Sequence, residues 1–182
     1  MAYQPFELQW KAHRAFLLDG YKRGLLYWSR RTGKTMWSVQ QLVYSSILNQ
    51  GPHHIVFKEY QQAETVAWNQ YMHTIPKGLI AKTDKSTLTI TFNYFEGPVT
   101  LPNGDVIHVQ HDPDKPPSTI RLLGSDKSDS HRGGESHGMI FDEYQDQDPY
   151  GWDFVYKHFF ATTDGWACFM GTAKDDDYWN NY

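Results

Sequence analysis

Hydrophobic and polar positions change rhythm along the chain, and each rhythm predicts a different element. Residues 5–19 (PFELQWKAHRAFLLD) place Phe6, Trp10, His13 or Arg14, and Leu17 on one face, with Gly20 just past the end, which predicts a short amphipathic helix. The run RGLLYWS (23–29) is apolar and β-rich and predicts a buried strand. Helical spacing returns from Lys34 to Gln50, with Met36, Val39, Val43 and Ile47 on one stripe and Gly51-Pro52 as the stop. HIVFK (54–58) predicts a second strand, and residues 61–75 a second helix that ends before Pro76. Strand-helix-strand-helix order implies right-handed crossovers and a parallel sheet.

In the middle the period becomes two. STLTITFN (86–93), GPVTLP (97–102) and DVIHVQH (105–111) alternate, and Asn103-Gly104 is a strong hairpin turn. They predict an antiparallel hairpin inserted in the parallel sheet or extending it. A proline-rich loop (111–118) leads to a strand at 119–125, then to a polar, glycine-containing loop (126–136) expected to move. GMIFDEYQD (138–146) reads as a buried strand ending in acids, 150–161 as a helix, and WACFMGTAK (166–174) as a last buried strand before an acidic, aromatic tail. No internal repeat or low-complexity segment interrupts this order.

Composition narrows the picture. The chain has 182 residues, 40% of them hydrophobic and 16% aromatic, enough for one domain with a sizeable core and too much for disorder. A net charge of −4 argues against a broad nucleic-acid-binding face, so any contact with DNA is expected from a small patch or from parts beyond this sequence. The single cysteine, Cys168, excludes an intramolecular disulfide and fits a reducing setting. The N-terminal MAYQPFELQW lacks the layout of a signal peptide, and no window is long and apolar enough to span a bilayer.

Candidate chemistry sits at two strand ends. In LLYWSRRTGKT (25–35) an apolar run breaks into Gly33-Lys34-Thr35. A phosphate-binding loop has a glycine five places before Gly33, and Trp28 stands there, so a basic turn is the competing reading. The chemistry needs a strand, a loop whose N–H groups turn inward, and a helix whose positive end faces phosphate. Lys34 would then reach the β- and γ-phosphates of ATP, and the Thr35 hydroxyl would ligate Mg²⁺. The second stretch is GMIFDEYQD, a run of four apolar residues, Gly138 included, ending in Asp142-Glu143. There Asp142 would hold Mg²⁺, commonly through water, and Glu143 would orient or deprotonate the attacking water. An acidic strand end is common alone. Both features in this order, each closing a buried strand, are much harder to obtain by coincidence.

With these motifs in place the chain resembles the N-terminal ATPase domain of the large terminase subunit, the DNA-packaging motor of tailed phages and related viruses. SRRTGKT (29–35) is similar to that family's divergent phosphate loop, where the glycine shifts or is absent; HIVFKEYQQAETVAWNQY (54–71), the stretch 120–146 and FMGTAK (169–174) match further family segments. The resemblance implies a RecA-like phosphate-loop NTPase of class α/β, with a mostly parallel sheet, helices on both faces and an added antiparallel hairpin. It implies ATP and Mg²⁺ as ligands, with Ser29, Arg30, Arg31, Thr32, Gly33, Lys34 and Thr35 around the phosphates. Gln9 would read the adenine edge, or be an exposed helix glutamine. Arg30 and Arg31 would contact phosphate or brace neighbouring segments. Arg132 would reach a neighbouring subunit's γ-phosphate in trans, or be a solvated loop arginine. Gly171, Thr172 and Ala173 would form a coupling segment near the γ-phosphate. Asp175, Asp176 and Asp177 read as a solvated tail, and the histidines show no zinc spacing.

The function so implied is ATP hydrolysis that drives double-stranded DNA into a procapsid, in the host cell cytoplasm and away from membranes. Portal protein and small terminase subunit would be partners, and the assembled form a homo-oligomeric ring, with a monomer in isolation. Family members continue into a lid and a nuclease domain, so residues 1–182 are expected to be a single ATPase domain, excised or with its nuclease elsewhere. A helicase-type ATPase, or a nucleotide-binding module with little turnover, are the alternatives.

Overall fold

The strands expected to run parallel do so, and their order puts both motifs at one edge of one sheet. A computed structural model describes residues 3–172. In chain order its elements are α1 (Glu7–Leu17), β1 (Arg23–Trp28), α2 (Lys34–Leu48) and β2 (Pro52–Phe57). A helical segment follows, made of α3 (Tyr60–Gln62), a π-helical turn (Ala63–Ala67) and α4 (Trp68–Thr74). Then come β3 (Ile80–Asp84), β4 (Thr89–Phe92), β5 (Gly97–Thr100), β6 (Val106–Val109) and β7 (Thr119–Gly124). The chain continues through β8 (Gly138–Phe141), α5 (Pro149–Phe154) and β9 (Trp166–Thr172).

Seven strands form one sheet in the order β1-β9-β8-β2-β7-β4-β3. The first five are parallel, and β4 and β3 add an antiparallel margin. The side-chain period of two divides the core between the faces. Ile55, Phe57, Ile140, Cys168 and Met170 join α1, α2 and α4 on one face through Phe16, Trp37, Leu42, Trp68 and Tyr71. Val56, Met139, Phe141 and Ala167 meet Val155, Tyr156, Phe159 and Phe160 on the other. Helical structure thus covers both faces, as expected of a sheet whose central strands β8 and β2 are buried along almost their whole length.

Four expectations are corrected. The period-two region makes two hairpins: β3 and β4 extend the main sheet, while β5 and β6 pair in a sheet of their own around Asn103-Gly104. The expected stripe on α2 is too narrow. Val39 and Val43 are buried and Met36 is exposed, while Trp37, Ser38, Gln41, Leu42, Ser45 and Ser46 are also buried because α1, α4 and the sheet surround the helix. The loop expected to move runs as 3₁₀ turns over Ser125–His131, tied down by Asp126 to the Tyr60 N–H and by Arg132 to Asp129. The helix expected at 150–161 is α5 followed by a 3₁₀ turn at Tyr156–Phe160. Residues 173–182, with Ala173 and the three tail aspartates, lie outside the described residues. Among those described, no helix is long and apolar enough to cross a membrane.

Candidate functional site

β1 delivers the chain to the sheet edge at Trp28, and after five intervening residues α2 begins at Lys34. Two left-handed residues make the reversal, Arg31 at φ 62° and Gly33 at φ 76°. Gly33 is required twice over, since a Cβ there would sit in a conformation L-residues avoid and 2.8 Å from Gln9 Nε2. No side chain caps α2, so the first-turn N–H groups have no intrahelical partner and are free for an anion. Trp28, where a glycine is usual, packs its ring edge-on to Trp37 at 5.7 Å. Thr32 Oγ1 donates to the Ser29 carbonyl at 2.8 Å, and Lys34 Nζ donates to the Trp28 and Ser29 carbonyls at 3.3 Å each.

Gln9 is part of this support. It is buried on α1, and its amide donates to the Thr32 carbonyl at 3.1 Å while its Oε1 accepts from the Phe6 N–H. Its side chain is engaged under the loop and does not line the cleft described below.

β8 lies two strands from β1, across β9, and ends at Phe141. Asp142 follows, its N–H bonded to the Val56 carbonyl at 2.9 Å. Burial and the adjacent Glu143 charge push its carboxyl up to about 6, and Lys34 opposes them. Glu143 takes the left-handed φ of 47°, which turns its side chain away from the strand direction. Its carboxylate lies 3.9 Å from Lys34 Nζ, accepts the Thr172 hydroxyl on Oε1, and accepts Gln145 Nε2 on Oε2 at 2.7 Å. The Lys34 side chain is only 10% exposed, so its attraction to Glu143 is weakly screened. These groups surround a cleft of about 510 Å³ lined by Arg30, Arg31, Gly33, Lys34, Thr35, Glu143, Gln145, Asp146 and Thr172.

The donor set fits Mg²⁺. Thr35, which lines the cleft, and Asp142, which does not, carry hard oxygens of the kind that ion takes, and one or two protein oxygens suffice when phosphates and waters complete its shell. Among the described residues no cluster of three or more His, Cys, Asp or Glu could hold a metal by itself.

Most predicted residues therefore meet at one edge, but not all. Arg132 lines a different concavity, with His54, Arg121 and Glu135, and its guanidinium is engaged by Asp129, the Tyr150 hydroxyl and the Phe154 carbonyl. Ser29, Thr32, Asp142 and Gly171 do not line the cleft. Three residues escape a motif reading. Gln145 holds Glu143. Gln147 bonds the Val56 and Asp142 carbonyls at 3.0 and 2.7 Å, fixing the turn after β8. Tyr71 is fully buried, with its hydroxyl 3.4 Å from Ser38 Oγ, which in turn donates to the Thr35 carbonyl. Isolated amides and a core tyrosine carry no local sequence signal; the helical spacing marks Tyr71 only as core.

No protein-family model matches the sequence, and no curated protein does. Solved structures do. The Thermus phage P74-26 large terminase ATPase domain superposes with a TM-score of 0.72 at 19% identity, covering 98% of this chain and 69% of that one. The fold is that of a phage large-terminase ATPase domain. The large terminase of a thermophilic bacteriophage agrees, with a TM-score of 0.65 at 12% identity over 94% of this chain and 39% of that protein. At such identities the terminase likeness lies in the backbone, and the cleft has to be read from this chain's own side chains.

Proposed function

We propose that this chain is the ATPase domain of a viral genome-packaging motor, binding Mg·ATP in the cleft at the ends of β1, β8 and β9 and hydrolysing it to move double-stranded DNA into a procapsid. The observation that carries the reading is the convergence of Lys34, Glu143 and Thr172 from three separate strand ends beside the free N-terminus of α2. The α2 amides and Lys34 would hold the β- and γ-phosphates, with Arg30 and Arg31 at the mouth of the cleft. Thr35 and Asp142 would hold Mg²⁺, which when bound neutralises charge building on the phosphates. Glu143 would orient the attacking water and accept its proton. The terminase fold supports double-stranded DNA, portal protein and small terminase subunit as partners, in a ring docked on the procapsid in the host cytoplasm.

Binding of a fluorescent ATP analogue with and without Mg²⁺, together with phosphate release, tests the reading. The parent chain should bind the analogue in a Mg²⁺-dependent way. Lys34→Ala should lose at least about tenfold in affinity or turnover with an unchanged circular-dichroism spectrum, because it removes the cation at the loop's centre. A folded Lys34→Ala variant with parental binding and hydrolysis would sink the assignment.

A further inference from the structure

Gln145 belongs to neither motif, yet it touches both segments that the motifs single out. Its Nε2 donates to Glu143 Oε2 at 2.7 Å. Its Oε1 lies 2.8 Å from where a Cβ on Gly171 would be, so the space that Gly171 leaves is the space Gln145 uses. Next to Gly171 on β9, Thr172 donates its hydroxyl to the other Glu143 oxygen. Both carboxylate oxygens are thus engaged, one by β9 directly and one by a side chain that rests on β9. Gln145 is exposed, so burial of its side chain does not account for this placement.

We infer that Gln145 is a positioning residue for Glu143, a bridge through which the end of β9 sets the direction of the carboxylate. The left-handed backbone at Glu143 fixes where the side chain starts; what the carboxylate touches fixes where it points. A carboxylate held through both oxygens has to break a hydrogen bond before it can swing toward or away from a water. Displacement of the Gly171–Thr172 backbone would move both contacts together, so the strand end and the base share one geometry. The inference rests on Glu143 acting as the base, and its test separates the two.

Two measurements on the 182-residue chain decide it. The first is a double-mutant cycle by urea unfolding without nucleotide, using Gly171→Ala, Gln145→Ala and the pair. Gly171→Ala drives a Cβ toward the Gln145 amide and, at 2.9 Å, toward the Tyr27 ring. Its loss of unfolding midpoint should be smaller in the Gln145→Ala background, since there is then no Gln145 amide to displace from Glu143. An equal loss in both backgrounds overturns the bridge.

The second measures Mg·nucleotide affinity and single-turnover hydrolysis for the parent, Glu143→Gln, Gln145→Ala and Gln145→Glu. Gln145→Ala should slow hydrolysis by about 10- to 100-fold, the scale of a misplaced catalytic group, and by more than any change in nucleotide affinity. Gln145→Glu should be slower still, because it sets a like charge against Glu143. Parental turnover by Gln145→Ala, when Glu143→Gln is inactive, overturns the inference. Parental turnover by Glu143→Gln overturns the role of Glu143 beneath it. A parent chain that binds but does not turn over fails the hydrolysis reading alone, and the unfolding cycle then decides the bridge.

Discussion

Arg31 carries a cost its neighbours do not. It holds φ at 62°, a conformation worth about 1–2 kcal/mol against an L-residue, at the mouth of the cleft. Strain that persists beside a binding site is commonly tied to the site. Arg31→Gly should therefore raise the unfolding free energy, by about 1 kcal/mol once the extra freedom of glycine in the unfolded chain is subtracted, while weakening nucleotide binding. A variant that is less stable, or that binds nucleotide like the parent, would remove that link. The two acids at the end of β8 should separate by phenotype. Glu143→Gln is expected to bind nucleotide and lose about a hundredfold or more in hydrolysis, since an amide cannot accept the proton. Asp142→Asn should instead raise the Mg²⁺ concentration needed for binding, which a magnesium titration of analogue fluorescence reads directly. At this scale the sequence reveals residues whose type and place in a strand-loop-helix pattern dictate chemistry, such as Lys34 and Glu143. It does not reveal Gln145 or Tyr71, because their significance lies in contacts made across the fold.

At the level of elements, apolar strands bounded by turn residues are legible because a strand buried on both faces is mostly apolar. β3 is not, since IAKTD is polar at three of its five positions and is a strand only because β4 pairs with it. The amphipathic reading of α2 fails for the opposite reason: the helix is surrounded, and buried polar side chains on it, such as Gln41 and Ser45, find partners inside the core. Buried polar groups of this kind give the elements a pH dependence. His13 on α1 and His53 and His54 on β2 are buried and neutral, with burial pulling them down to about 4, 3 and 3. In the unfolded chain each titrates near about 6.5. As pH falls below that value the unfolded chain takes up protons that the folded one refuses, so stability present at pH 7 is lost. The loss is about 1.4 kcal/mol per pH unit for each fully linked histidine. Asp142 acts in the opposite sense between about 6 and 4, where the folded chain holds a proton that the unfolded one has released, and it offsets about one histidine. The urea midpoint should drop steeply from about pH 6.5 to 4.5. A flat midpoint across that range would mean that these histidines are not buried as neutral rings.

For the whole molecule the informative residue is the one the fold leaves out of the cleft. Arg132 stands on the loop between β7 and β8, its side chain about half exposed, lining a concavity separate from that of Lys34 and Glu143. Asp129 and Tyr150 hold the guanidinium at 2.8 and 2.9 Å, so it is presented outward from a braced loop and not left free. An arginine so placed serves hydrolysis only if another copy of the chain brings its cleft to it. In phosphoryl-transfer systems an arginine supplied in trans is worth on the order of 10³ to 10⁵ in rate. Arg132→Ala chains should then bind nucleotide like the parent, keep an intact cleft, and hydrolyse slowly only because their neighbours also lack the arginine. Glu143→Gln chains have the complementary defect. Mixed in an assembly, the first supply working clefts and the second supply arginines, so the mixture should turn over ATP faster than either variant alone, with a maximum near equal proportions. The sample has to assemble, so co-assembly of the two variants is established first, by analytical ultracentrifugation of the mixture. If the two variants co-assemble and the mixture is no faster than the better of them, Arg132 acts within its own subunit or not at all, and the ring is not what completes the site.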